Sequence, residues 1–329
     1  MPQAVGDVPG IACPICENEQ AEKILRSRND YAILRCSRCS LVFTDDRTAP
    51  PPDRLYPRFD QSGAAFAKGA GSALRIFLRQ RESFIRALKP SGRLLDFGCG
   101  NGAFAQHMSK AGFETVGVEP FSLGATHTAE RLELIQAPFE QIEGQLGSFD
   151  IITLWHVLEH LRRPVEILRR LATHLRPDGL IVISVPNFGS LQRQAFQGGW
   201  FHLDPPRHLI HFELSTLDGC LRRAGLVAAA EKRFLPEYGS SGWIQSSLNT
   251  ILPHKNYLYE LVKDRGALAG MSPTSSMLHF VGSLVLTPPL LAMSLPIEAF
   301  ASAAGKGAAL TVAVCRSAEH DSGALGVSS

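Results

Sequence analysis

The 329-residue sequence lacks a charge of one dominant sign, since 33 Lys and Arg residues stand against 31 Asp and Glu residues. This balance argues against a dedicated nucleic-acid binder, in which basic side chains gather into a positive domain or stripe. The sequence also lacks repeats, low-complexity tracts and, in its first ten residues, the basic and apolar segments of a secretory signal. We therefore expect a cytoplasmic protein whose seven cysteines are thiols or metal ligands rather than a disulfide framework.

Four of the cysteines form two C-x2-C pairs, Cys13 with Cys16 and Cys36 with Cys39, separated by nineteen residues. A C-x2-C turn presents two sulfurs to one ion, and Zn²⁺ prefers four thiolates in a closed tetrahedral site. β-prone segments flank the second pair, as in a zinc ribbon. Four thiolates leave no position for water, so the predicted zinc is structural. Two unrelated pairs of buried thiols are the alternative.

The charge of this N-terminal segment is slightly negative. Residues 1–60 contain eight Lys and Arg residues and nine Asp and Glu residues. A segment with a net charge of −1 is a poor binder of phosphate backbones. We interpret the ribbon as a structural or substrate-positioning module and expect no nucleic-acid partner.

A β-α-β pattern follows the ribbon. Apolar residues recur at helical spacing over 72–88, and a short strand over 93–97 leads into the glycine-rich turn 98–102. A helix-like run to about Lys110 precedes a second strand that ends at Glu119. Glycines at such a turn let the backbone approach a ligand, and an acid after the second strand can accept hydrogen bonds from ribose hydroxyls.

The glycines alone are ambiguous. Gly98 and Gly100, with Ala103, also fit the G-x-G-x-x-G/A pattern of enzymes that bind NAD. Asp96, two residues before the first glycine, favours a ligand that carries a cationic amino group.

Three motifs in order resolve this ambiguity: LDFGCGNG over 95–102, FDIITLWHVLEH over 149–160 and LRPDGLIVISVPN over 175–187. With them the chain resembles class I S-adenosylmethionine-dependent methyltransferases, and in particular the branch that includes ubiquinone-type O-methyltransferases. The resemblance covers about residues 72–235. Asp178 stands where the family commonly has glycine, while Gly179 keeps the expected turn.

The resemblance implies a binding site for S-adenosylmethionine. Glu119 would hold the ribose hydroxyls, Phe139 and Glu140 would border the adenine, and Leu154 and Trp155 would form the floor on the methionine side. The implied cofactor-binding residues are Asp96, Gly98, Cys99, Gly100, Glu119, Pro120, Phe139, Glu140, Leu154 and Trp155.

Candidate bases for the acceptor lie in the histidine-rich segment 199–211, which follows the fifth predicted strand of the sheet. His208 is our first choice for a base or orienting group, followed by His202 and His156. Alternatively, His208 bonds a backbone carbonyl and only fixes the loop. Two further polar residues of the second motif, Glu159 and His160, could either tie down the following helix or contact a ligand.

The C-terminal third contains a long charge-free segment. The sixth strand is predicted over 226–234 and the seventh over 308–315, which leaves 235–305 as an insertion. Residues 277–297 are long enough to span a membrane, but the prolines at 288, 289 and 296 argue against one continuous spanning helix there. We expect a lid over the acceptor site or a homodimer interface, with peripheral membrane contact as the further alternative.

The sequence thus predicts an α/β protein: a Rossmann-like, seven-stranded methyltransferase sheet with a small N-terminal zinc ribbon and a hydrophobic helical insertion before the last strand. The predicted segments are ribbon 1–48, linker 49–71, methyltransferase core 72–234, insertion 235–305, final strand 306–316 and disordered tail 317–329.

The expected function is transfer of a methyl group from S-adenosylmethionine to oxygen or carbon of a small molecule, namely a sugar, quinone or lipid-linked metabolite. An rRNA methyltransferase with a zinc module and a non-catalytic scaffold with a methyltransferase fold are the alternatives.

Overall fold

A computed structural model describes residues 10–51, 55, 71–121, 130–232, 236–263, 268 and 270–317. Most of the predicted linker, and all of the predicted disordered tail except Ser317, lie outside these described residues.

The described residues form eleven strands, which divide between two sheets. The strands are β1 (Ala21–Arg26), β2 (Ala32–Cys36), β3 (Val42–Thr44), β4 (Arg93–Phe97), β5 (Glu114–Val118), β6 (Leu132–Ile135), β7 (Phe149–Trp155), β8 (Leu175–Pro186), β9 (Ile210–His211), β10 (Leu226–Lys232) and β11 (Ala309–Arg316).

The larger sheet has seven strands in the order β10-β11-β8-β7-β4-β5-β6. The pairs from β8 to β6 are parallel, whereas β11 is antiparallel to both β8 and β10. Parallel strands are covered on both faces, which explains the nearly continuous apolar runs in β7 and β8. The predicted Rossmann-like sheet with seven strands is confirmed.

Helices in the described part of the chain cover this sheet or form the insertion. They are α1 (Gly71–Leu88), α2 (Ala103–Lys110), α3 (Phe139–Ile142), α4 (Pro164–Thr173), α5 (Leu191–Phe196), α6 (Leu214–Arg223), α7 (Pro236–Ile251), α8 (Tyr257–Lys263) and α9 (Pro273–Ala303).

The cysteine-bearing segment is not separate from the core. Its strands β1, β2 and β3 form the second sheet together with β9, which comes from the histidine-rich segment. Val42 and Phe43 pair with His211 and Ile210. Thr44 Oγ1 also donates to the backbone carbonyl of His208, at 2.7 Å. The N-terminal strands therefore hold the histidine-rich segment in place.

The insertion contains a continuous 31-residue helix. The expectation that the prolines would interrupt it was wrong, because α9 runs through Pro288, Pro289 and Pro296. A proline inside a helix removes one hydrogen bond and costs about 3 kcal/mol. Packing of α9 along α7 offsets this cost over many turns.

Candidate functional site

A cavity of about 460 Å³ opens at the carboxyl ends of the parallel strands. In open α/β sheets this edge is where ligands bind. The residues that line it include His156, His160 and Arg207. Six of the ten predicted cofactor-binding residues line the cavity: Gly98, Gly100, Glu119, Pro120, Phe139 and Glu140.

The glycine turn and the acid after β5 are joined by hydrogen bonds. The Gly100 backbone N–H donates to Glu119 Oε2 at 3.0 Å, and that of Phe121 donates to Oε1 at 3.1 Å. Gly98 has a φ of +73°, and a Cβ atom there would lie 2.6 Å from a methyl group of Val157. A side chain at this position would be strained and would clash, so glycine is required.

Burial affects the two carboxyl groups near this turn. It raises the pKa of Glu119, although the two backbone N–H groups act in the opposite direction. Burial also raises the pKa of Asp96 to about 6, and the hydroxyl of Thr153 donates to Oδ1 of that side chain at 2.9 Å.

Four of the predicted cofactor-binding residues do not line the cavity. Leu154 lies in the hydrophobic core, and Trp155 packs edge-to-face against Phe104. Asp96 is buried, and the Cys99 side chain lies close to the α-carbon of Gly117. Consecutive side chains of a strand point to the two opposite faces of the sheet, so Leu154 and Trp155 both pack against those faces instead of lining the edge. The four residues outside the lining are Asp96, Cys99, Leu154 and Trp155.

The three candidate histidines lie close together. The ring of Tyr238, from α7, stacks between His156 at 4.0 Å and His202 at 3.7 Å. His202 Nε2–H donates to the carbonyl of Tyr238, and His208 Nδ1–H donates to the carbonyl of His202 at 2.8 Å. His208 thus fixes the loop, as in the alternative interpretation, and of the three only His156 lines the cavity.

These histidines are neutral at physiological pH. Burial lowers the pKa of His202 to about 3 and that of His208 to about 4, and it lowers the pKa of His156 well below its usual value. Neither ring nitrogen of His156 has a hydrogen-bond partner among the described residues. Its backbone φ of +57° is rare for a residue with a side chain and is a feature of functional sites.

Glu159 lies next to His156 and is completely buried. Its Oε1 atom is 3.6 Å from His156 Nδ1, and neither carboxyl oxygen has a hydrogen-bond partner among the described residues. Burial, with a further contribution from the charge of Asp204, raises the pKa of Glu159 to about 8. The side chain therefore carries a proton at pH 7, next to an uncharged imidazole.

The same carboxyl group also approaches two histidines. One ligand atom from each of Glu159, His160 and His208 lies within 4.8 Å of the others. Two imidazoles and a carboxylate are a common ligand set for divalent transition metals. The cluster can thus hold either a proton or a cation at the wall of the cavity.

Sequence analysis did not identify Tyr238 or the pairing of Arg207 with Asp204, whose charged groups are 2.7 Å apart. Arg207 adjoins His208 in a segment already singled out, so its sequence position offered a signal. Tyr238 lies in the insertion and offered none. Close packing of α7, the helix that carries Tyr238, brings this ring to the histidines. A Cβ atom on Gly242 of the same helix would lie 2.5 Å from His202 Nε2.

The four cysteines of the ribbon form a compact cluster. Their sulfur atoms lie within 4.8 Å of one another, with Cys13 to Cys39 at 3.6 Å and Cys16 to Cys36 at 3.5 Å. Tetrahedral Zn²⁺ with Zn–S bonds of about 2.3 Å requires sulfur atoms about 3.8 Å apart. The arrangement fits one zinc ion.

Residues 72–231, just under half of the chain, match the model of a family described as a methyltransferase domain. This segment is a class I methyltransferase domain. The matched residues contain the cavity-lining turn and the histidine-rich segment. The cysteine cluster, the helices α7 to α9 and strand β11 lie outside the matched methyltransferase domain.

Curated relatives of the methyltransferase domain are ubiquinone biosynthesis O-methyltransferases. The protein from Aliivibrio fischeri (strain MJ11) is 33% identical over 103 residues, which are 29% of this chain and 44% of the relative. The protein from Acinetobacter baumannii (strain ACICU) is 29% identical over 104 residues, with the same coverage. The chain therefore spans less than half the length of these relatives.

Among solved structures, the 1,6-didemethyltoxoflavin-N1-methyltransferase of Burkholderia thailandensis is similar to this chain. It is 17% identical, with a TM-score of 0.39, and the match covers 60% of this chain and 88% of that one.

Proposed function

We propose that the chain transfers a methyl group from S-adenosylmethionine to a small-molecule acceptor. The observation that carries this proposal is the convergence of the glycine turn and Glu119 on one cavity at the ligand edge of the sheet. The names of the curated relatives favour an oxygen atom as the acceptor. The acceptor classes proposed are a sugar, a quinone or a lipid-linked metabolite.

The chain's own residues have limited chemical tasks in this reaction. When bound, the cofactor supplies a methyl group already activated on a sulfonium. Glu119 would accept hydrogen bonds from the ribose hydroxyls, and Gly98 and Gly100 would let the ligand approach the backbone. Apolar side chains around the cavity, including Phe139 and Leu209, would exclude water.

Replacement of Glu119 tests the cofactor proposal directly. We expect Glu119→Ala to weaken binding of S-adenosylhomocysteine by about 1–3 kcal/mol, or about 5- to 150-fold, because a charged hydrogen-bond acceptor is lost. Isothermal titration calorimetry on the full chain measures this change.

Glu114→Ala is the matched control, since Glu114 begins the same strand β5 and its side chain is 65% exposed. It should bind like the wild type. Failure of the wild-type chain to bind S-adenosylhomocysteine, or binding of NAD in its place, would contradict the proposal.

We also propose that His156 accepts the proton of the acceptor. It is uncharged, lines the cavity and has two ring nitrogens without partners among the described residues. Proton transfer from the acceptor to Nε2 would produce an imidazolium ion, whose Nδ1–H would lie 3.6 Å from Glu159 Oε1. His208 would then position the loop rather than contact the acceptor.

His156→Asn should lower kcat about a hundredfold with an acceptor found by screening, the usual contribution of a general base. Binding of S-adenosylhomocysteine should remain within about twofold. His208→Asn, which can keep a donor to the loop, should lower kcat much less. A larger loss of kcat in His208→Asn than in His156→Asn would reverse the two roles.

We propose, in addition, that the cysteine cluster binds a structural zinc ion. The sulfur distances and the absence of a fifth ligand among the described residues near the cluster support this assignment. The zinc would stabilise the sheet that supports the histidine-rich segment.

A further inference from the structure

Helix α9 has its polarity inverted relative to a helix on the surface of a soluble protein. In soluble proteins the apolar side of a surface helix faces the core and the polar side faces water. Here the large apolar side chains are outside: Met277 is 69% exposed, Leu284 64% and Phe300 72%. The exposed side of α9 is thus apolar from Met277 to Phe300, where a soluble protein would have polar side chains.

The polar side chains of α9 are turned inward and held there. The Glu298 carboxylate accepts hydrogen bonds from the Ala308 backbone at 2.7 Å and from the Trp243 indole at 3.0 Å. Near the other end, His279 Nε2 accepts a hydrogen bond from the His254 backbone at 2.8 Å. These bonds fix the rotation of the helix. The buried polar residues are His279, Ser283, Ser294, Glu298 and Ser302.

The exposed face between Met277 and Phe300, here called the apolar face, carries no side chain that can form a hydrogen bond or an ion pair. At 1.5 Å per residue it extends for about 35 Å. It consists of Met277, Leu278, Phe280, Val281, Leu284, Val285, Pro288, Pro289, Leu291, Ala292, Met293, Leu295, Pro296, Ala299 and Phe300.

The composition of the apolar face favours lipid over a second copy of the chain. Interfaces between proteins have a polar rim and about one hydrogen bond per 100–200 Å². The apolar face has no polar rim and no hydrogen-bonding side chain. Lipid acyl chains require neither of these features in a surface that they contact. An exposed lysine, Lys306, stands just beyond the C-terminus of α9. Near the other end, the Lys255 ammonium group donates to the backbone carbonyls of Asn249 and Leu252. The Lys306 cation complements phosphate headgroups.

Topology decides between lying on a bilayer and crossing it. Among the described helices, α9 is the one that is long and apolar enough to span a membrane. Strand β10 precedes the insertion and β11 follows α9, yet the two strands pair directly in one sheet. A single crossing between them would put these partners on opposite sides of the membrane.

We propose that α9 lies along the surface of a phospholipid bilayer, with the apolar face in the boundary between headgroups and acyl chains. Lys306 would lie beside lipid phosphates. Helices with a large lipid-facing area bind membranes in this way without spanning them. The apolar face is separate from the cofactor cavity, so this proposal does not depend on methyl transfer.

Vesicle flotation of the full chain tests the proposal. The vesicles contain equal parts of phosphatidylcholine and phosphatidylglycerol, and the variant is Leu284→Glu/Val285→Glu. We expect the wild type to float with the vesicles, and the variant to show at least about a tenfold lower partition coefficient. Flotation of the wild type should persist at high salt, because insertion of apolar side chains is not screened.

Leu214→Glu is the matched control, because Leu214 on α6 is also an exposed leucine, at 52%, but lies outside the apolar face. It should float like the wild type. Unchanged unfolding midpoints show that the variants are folded, and Met277→Glu replaces the double variant if that one does not fold.

Two results would overturn the proposal. The first is a contrary flotation result: either the wild-type chain stays in solution, or the double variant floats as well as the wild type. The second is a wild-type dimer in light scattering that the double variant converts to monomer, without flotation of either, which would assign the apolar face to a second copy.

Discussion

Cys36→Ser should abolish binding of the proposed zinc ion and destabilise the whole N-terminal sheet. Structural zinc sites in small modules are worth about 10–16 kcal/mol of apparent binding free energy, and loss of one thiolate removes much of it. The damage should extend to the cavity, because the Thr44 backbone N–H donates to the carbonyl of Leu209, which lines it. We expect a large drop in the unfolding midpoint and weaker binding of S-adenosylhomocysteine.

Metal analysis, thermal unfolding and calorimetry of the same samples measure these three effects. Cys315→Ser is the matched control, since Cys315 is a free, partly exposed thiol on β11 away from the cluster. It should keep the zinc and the midpoint of the wild type. If Cys36→Ser behaved like Cys315→Ser in all three measurements, the cluster would be an ordinary group of thiols.

Glu159→Gln should change how stability depends on pH. Burial raises the pKa of the Glu159 carboxyl from its usual 4.5 to about 8 in the folded chain. Between these values the unfolded chain releases a proton that the folded chain retains, so rising pH favours unfolding of the wild type. Above about pH 8 both states are ionised and this contribution stops changing.

Glutamine cannot titrate, so the variant lacks this dependence. The free energy of unfolding of the variant minus that of the wild type should rise by about 1.4 kcal/mol per pH unit within this window. Urea unfolding at several pH values measures the difference. Glu114→Gln, at an exposed side chain of β5, should show a nearly constant difference.

Parallel pH profiles for Glu159→Gln and the wild type would contradict the prediction. They would mean that the carboxyl is ionised in the folded chain, as it would be with a cation bound between it and His160 and His208. The experiment therefore also distinguishes a proton from a metal ion at this position.

Local patterns predicted the strands and the cofactor turn well. The strand over 93–97 has the predicted bounds, because a short buried run between glycine-containing turns permits few alternatives. The predicted strand over 308–315 is observed one residue later at both ends, as β11. Gly98 is required by a positive φ and a close contact, both of which belong to the turn itself.

The prediction for α9 was wrong because it depended on a local rule alone. Pro288 and Pro289 each remove a hydrogen bond, but α7 packs beside the helix and Glu298 fixes its end against β11. These partners are distant in sequence. A local rule contains no information about them.

By itself, the sequence determined the seven-stranded class I fold, the four-cysteine cluster and the acid that follows β5, because each depends on spacing within one short segment. Only the tertiary structure decided how the site is completed. Thr44 and His208 are 164 residues apart, and their hydrogen bond joins the ribbon to the histidine-rich segment. Tyr238 reaches His156 and His202 only because α7 packs closely at Gly242. Our proposal of His156 over His208 as the base rests on which ring lines the cavity and on which hydrogen-bond partners each ring has, and packing of the whole chain sets both.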